Sequence, residues 1–230
     1  MKQTNLLFIH QAFPGQFAHL SYSLSAELNA RTIFLTLSDL NHDLILPNVE
    51  CRRFSRHRGI DEGVHQYLKP VELGVLNGQA VIRQLLALQL DDFIPDLVIG
   101  ICGFGFTSYV KNIYPHCKVI SYVEWYFSDP HLLALDASID LNERMRINTM
   151  NLTIQQEALS ADVIVCPTLW QASQFPFEFQ SKIECIFDGV MQAEFPDGLF
   201  SQIFDIHGSE MSSGLTIRPE QLLLTYGTRG

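Results

Sequence analysis

Short apolar runs of four to seven residues recur along the chain, and the stretches between them carry helical spacing. Runs at 5–9 (NLLFI), 31–37 (RTIFLTL), 96–101 (DLVIGI), 118–123 (KVISYV) and 163–166 (VIVC) read as buried strands, with shorter ones at 49–54 and 183–187. Between them, Phe17, Leu20, Leu24 and Leu28 recur at helical intervals over 15–30. A strongly apolar helix follows over 73–90, a short one over 106–114, a long one over 140–159 and another short one near Trp170. This order implies parallel strands joined by right-handed crossovers, with helices on both faces. The expected fold is α/β, a Rossmann-like doubly wound, mainly parallel sheet.

The tail breaks the pattern. Pro196, Gly198, Gly208, Gly214 and Pro219 punctuate it with little periodicity, so 195–219 reads as a linker or loop. A new apolar run, LLLTY at 222–226, follows and reads as the first strand of a further domain. The expected organisation is one domain over 1–194, the linker, and the start of an absent domain over 220–230.

Composition narrows the partners. The net charge of −10 leaves no broad basic surface for a phosphate backbone, so nucleic acid is not expected. A small phosphorylated ligand held by backbone N–H groups stays open. The five cysteines are far apart and include no C-x-x-C pair, so zinc and dithiol chemistry are not expected. The eight histidines lack ligand spacing, and no metal is expected. The N-terminus lacks a signal-peptide layout, and no run reaches the ~18 apolar residues of a membrane span. A cytoplasmic protein, free or peripheral to a membrane, is the expectation.

In an open parallel sheet, ligands bind beyond the carboxyl ends of strands. The first such turn, HQAFPGQF, holds His10, Gln11, Pro14, Gly15 and Gln16. Gly15 lets the backbone approach a ligand at a helix N-terminus, or simply meets the geometry of a strand–helix turn. One glycine is not the dinucleotide fingerprint, so a nicotinamide cofactor is disfavoured. Gly103, Gly105 and Ser108 form G-x-G-x-x-S after a mid-sheet strand, which is the wrong place for that fingerprint. Glu124 follows a strand and is embedded in Trp125, Tyr126 and Phe127. A carboxylate there suits proton transfer or hydroxyl binding, and the aromatic faces suit sugar rings. The alternative is a Glu124 that pairs with Arg144 or Arg146 to orient the long helix. Thr168 is a plausible cap for a helix carrying Trp170 and Gln171. Asp188-Gly189 marks a turn after the last strand. No G-x-S-x-G occurs, so serine hydrolase chemistry is not supported.

Several stretches together resemble the family 4 glycosyltransferases of the two-domain GT-B fold. HQAFPGQFAHL resembles their opening strand–loop–helix. HQYLKP, GQAVIRQL and KNIYPHCKVISYVEWYF follow in the family's order, and ADVIVCPTLWQASQFP with KIECIFDGV closes it. The resemblance covers about residues 5–190 and implies the N-terminal half of a retaining glycosyltransferase, the half that binds a sugar or glycan acceptor. It implies that a C-terminal half, in cis or as a separate chain, binds a nucleotide-sugar donor. No cofactor is implied for this chain. Carried over by position, Pro14, Gly15 and Gln16 form the loop near donor phosphates. Glu124 stands near the reacting sugar as the candidate catalytic residue. His10, Gln11, Gly103, Trp125, Tyr126, Trp170, Gln171 and Asp188 line the acceptor side or cleft. Two positions depart from the family pattern: Ile101-Cys102 replace a typical His-Pro, and Phe187 replaces a typical His before Asp188-Gly189. Either the acceptor preference has changed or catalysis has weakened. A non-catalytic module that binds a glycan or a partner chain is the alternative reading.

Overall fold

The computed structural model describes residues 3–40, 45–128 and 138–189, together with the backbone of 204–206 and 215–217. It divides into two compact units, 1–188 and 189–230.

The first unit is built on seven strands: β1 (Asn5–His10), β2 (Arg31–Thr36), β3 (Val49–Arg53), β4 (Leu97–Ile101), β5 (Lys118–Tyr122), β6 (Val163–Cys166) and β7 (Ile183–Cys185). Their order is β3-β2-β1-β4-β5-β6-β7, and every pairing is parallel. The helices are α1 (Ala18–Glu27), α2 (Lys69–Leu90), α3 (Val110–Ile113), α4 (Leu141–Ser160) and α5 (Leu169–Ser173). The strand order reverses direction at β1, so right-handed crossovers place α1 on one face and the later helices on the other. The doubly wound parallel sheet expected from the sequence is the observed fold.

Local chemistry explains where the helices start. Pro70 stands in the first turn of α2, where its missing N–H costs nothing, and α2 begins four residues before the expected 73. Asp140 caps α4 by accepting the Glu143 N–H at 2.7 Å. Thr168 caps α5 by accepting the Gln171 N–H at 3.2 Å, as the sequence suggested. The helix expected over 106–114 shrinks to the four residues of α3, because residues 102–109 are drawn into a tight loop.

All six residues of β1 are buried, as befits a central strand covered on both faces. Burial alternates farther along the sheet. Val119 and Ile164 are sealed, whereas Ile120 and Val165 are only half-buried. The half-buried set faces the α1 side, where no described helix covers β4 to β6. The leucines of α1 turn toward this gap. Ser21 and Ser25 are the buried residues of that helix, while Leu20 is 41% exposed. The expected apolar stripe therefore lines a trench of about 370 Å³ together with Ile99, Ile120, Tyr122 and Val165. Small serines facing the sheet let α1 approach closely, and their hydroxyls return to backbone carbonyls of Ala18 and Asn48.

In the second unit, Phe204–Ile206 and Leu215–Ile217 pair as two antiparallel strands, β8 and β9, inside the stretch expected to be a linker or loop. Each is a three-residue apolar–polar–apolar alternation, too short to stand out among the glycines. The 222–226 run lies outside the described residues.

Candidate functional site

Every sequence-predicted site residue lies at or beyond the carboxyl end of a strand. His10, Gln11, Pro14, Gly15 and Gln16 follow or end β1; Gly103 follows β4; Glu124, Trp125 and Tyr126 follow β5; Trp170 and Gln171 open α5; Asp188 follows β7.

A hydrogen-bonded chain joins four of them. His10 is 3% exposed, and its Nε2 lies 2.6 Å from Gln16 Oε1. Gln16 Nε2 donates to Glu124 Oε1. Gln171 Nε2 donates to the Glu124 carbonyl at 2.9 Å. An ionised carboxylate only accepts, so it turns the Gln16 amide nitrogen toward itself and the amide oxygen toward His10. His10 Nε2 must then carry a proton. Gly15 closes over this histidine. Its φ is +52°, and a Cβ built there would stand 2.4 Å from the imidazole. The glycine is needed both for its left-handed backbone and for the ring beneath it.

Glu124 is exposed, not embedded among its aromatic neighbours. Among the residues after β5, Tyr126 takes the buried place, its ring tilted against Phe175 at 4.7 Å and its hydroxyl accepting from Gln155 at 2.7 Å. Trp125 meets Trp170 edge-on at 5.0 Å. Among the described residues no ion pair joins Glu124 to Arg144 or Arg146, and Arg146 is held by Glu143 at 2.6 Å. Asp188 accepts the Tyr122 hydroxyl at 2.7 Å on both oxygens. Burial, reinforced by that carboxylate, pushes the Tyr122 hydroxyl well above its ordinary pKa and keeps it a donor.

Gly103 is committed elsewhere. Its N–H and that of Gly105 bind Glu157 at 2.7 and 3.0 Å, and the Thr107 N–H and hydroxyl bind the same carboxylate at 2.9 and 3.0 Å. The Gly-rich loop is an anion cradle, and its anion is the protein's own. Burial raises the Glu157 pKa. Four donors oppose that rise, and with all four lone-pair positions filled the geometry is that of a carboxylate. Sequence reasoning missed Glu157. A signal existed, because Ile147, Ile154 and Glu157 fall on one face of α4 at helical spacing. Asn151, on that face too, clamps the Phe127 backbone through bonds of 3.0 and 2.7 Å.

These elements enclose a cavity of about 300 Å³ between α2 and α4, at the carboxyl ends of β4 and β5. Gly74 and Thr153 let the two helices approach, since a Cβ at Gly74 would lie 2.8 Å from the threonine methyl. Leu73, Phe104, Trp125, Phe127, Met150 and Ile154 form most of the wall, and exposed Glu124 stands at the rim. No described helix is long and apolar enough to cross a membrane.

Many solved structures share this fold, and two of them illustrate it. One is a UDP-glucosyltransferase from Polygonum tinctorium capable of glucosylating indoxyl, in complex with 3,4-dichloroaniline; it is 6% identical, with a TM-score of 0.55 over 84% of this chain and 53% of that one. The other is Phytolacca americana UGT2 complexed with UDP-2-fluoro-glucose and pterostilbene, 9% identical, with a TM-score of 0.56 over 84% and 56%. The chain thus spans about half the length of these structures. No curated protein matches the sequence. The family description that does match covers residues 29–195, well over half of the sequence, and by it the chain belongs to the glycosyl transferase family 4 group.

Proposed function

We propose that this domain is the acceptor-binding half of a retaining glycosyltransferase, which transfers a sugar from a nucleotide-sugar donor held by a second, C-terminal half. The observation that carries this reading is the cavity between α2 and α4, with the Glu124 carboxylate at its rim. Glu124 Oε1 is held by Gln16, and no described residue partners Oε2. A hydroxyl lying in the cavity could donate to that oxygen, which would orient it and raise its nucleophilicity. A UDP-sugar is the first donor to try, because one of the similar structures above is a UDP-glucosyltransferase and the other a complex with UDP-2-fluoro-glucose.

Transfer needs donor and acceptor held together, and that positioning can supply ~7–11 kcal/mol of the barrier. This chain alone should therefore show no turnover and no tight donor binding. Calorimetric titration with UDP-glucose checks this, and micromolar affinity would overturn the acceptor-side assignment.

A second reading, a binding module that transfers nothing, is favoured by Ile101-Cys102. Ile101 stands where the family's typical sequence has His, and the neighbouring Cys102, where it has Pro, lines the cavity. Its thiol donates to the Ile154 carbonyl at 3.8 Å, and burial raises its pKa well above the ordinary value. It is an inert wall and not a proton carrier. Joining the chain to the donor-binding half of a family member and assaying transfer separates the two readings.

A further inference from the structure

We infer that the cavity between α2 and α4 takes an acceptor with an apolar body and a single hydroxyl, and not a polyhydroxylated sugar; this rests on the acceptor-side reading above. Apart from the Trp125 indole N–H, which is buried without a described partner, the side-chain polar groups of the described wall are already spent. Asn77 donates to the Phe104 carbonyl at 2.7 Å and accepts from Arg56 at 3.0 Å. The Gly103 N–H is held by Glu157 at 2.7 Å, and the Cys102 thiol by the Ile154 carbonyl. What remains facing the space is aromatic and aliphatic: Leu73, Phe104, Phe127, Met150 and Ile154, with Trp125 beside them.

A sugar ring carries hydroxyls around its whole edge. Burying them here strips their water and leaves most of them without a partner, which costs free energy for each unpaired hydroxyl. An apolar body gains free energy with every part of its surface taken from water. Among the described residues Glu124 supplies the one side-chain acceptor at the rim, and it suits one donor. The volume of about 300 Å³ stands at the small end of ligand pockets, so the apolar body is compact.

Titration of the chain by ¹H–¹⁵N NMR tests this with named probes. 2-Naphthol or geraniol should shift the amide signals of Phe104, Trp125 and Phe127 saturably, and the tighter of the two shows whether the body is aromatic or isoprenoid. Met150→Lys, which puts a charge in the wall, should weaken that binding at least 10-fold. 2-Methoxynaphthalene keeps the body and loses the hydroxyl proton. It should bind roughly 10-fold more weakly than 2-naphthol, the scale of one hydrogen bond, and Glu124→Ala should remove that difference. If maltose or chitobiose shifts these signals at lower concentration than either alcohol, the inference falls and the acceptor-side reading stands. If neither alcohols nor sugars shift them, both fall.

Discussion

Gly103 donates its N–H to the Glu157 carboxylate at 2.7 Å, so the glycine loop after β4 is an anion site filled from within. The loop shows why a Gly-rich turn is weak grounds for a phosphate ligand. Its donors converge as they would on a phosphate, and a helix of the same domain supplies the charge. Glu157→Gln keeps the shape and puts an NH₂ group where an oxygen accepted two hydrogen bonds. Facing donors cannot be satisfied, and stability should fall by about 2–4 kcal/mol, the scale of unsatisfied buried groups in one network. Urea unfolding measures the loss, and hydrogen exchange should place it first in residues 102–109.

Gly15→Ala should destabilise by about 2 kcal/mol or more. The left-handed backbone alone costs roughly 1–2 kcal/mol for a residue with a Cβ, and the new methyl would meet the His10 ring. The imidazole must then move and release Gln16. Thermal melting gives the stability, and the His10 ring ¹⁵N shifts report whether Nε2 has lost its fixed proton.

Glu124→Gln should leave the melting temperature nearly unchanged. The side chain is exposed, and its one described hydrogen bond comes from Gln16. In a chimera joined to a donor-binding half, the same change should lower the transfer rate by roughly 10²-fold, the scale of one positioned acid–base group. A large drop in melting temperature with an unchanged rate per folded molecule would make Glu124 a structural residue instead.

Asp162 should contribute to acid sensitivity. Burial works to raise its carboxyl, but the Lys111 ammonium at 2.7 Å, the Val119 N–H at 2.8 Å and Lys118 outweigh burial and hold it below the ordinary range. A depressed folded pKa adds stability above the unfolded value of about 3.9, and that stability is lost as pH falls through the folded pKa. Asp162→Asn should therefore melt below wild type at pH 7, and the two curves should converge toward pH 2. Melting temperature followed from pH 7 to pH 2 checks the sign.

Strand positions, the side-chain cap at Thr168, and the doubly wound class were legible because each depends on neighbours in sequence. Apolar runs mark buried strands, and a capping oxygen acts within one turn. Site loops were legible too, since an open parallel sheet gathers its strand ends on one edge. Which face meets what was not. Periodicity placed Phe17, Leu20 and Leu24 together, yet the crossover geometry turned the two leucines toward the trench and seated Ser21 and Ser25 nearer the sheet. Glu124 was read from its flanking residues, and Glu157 was not singled out. Tertiary structure then exposed the aromatic-flanked one and buried the one in a polar helix stretch. A carboxylate's burial is set by donors that arrive from distant segments, here three backbone N–H groups 50 to 54 positions away. The sequence alone determined the class of the sheet and the edge that carries the candidate site. Only packing between segments decided which charge became structure and which stayed available for chemistry.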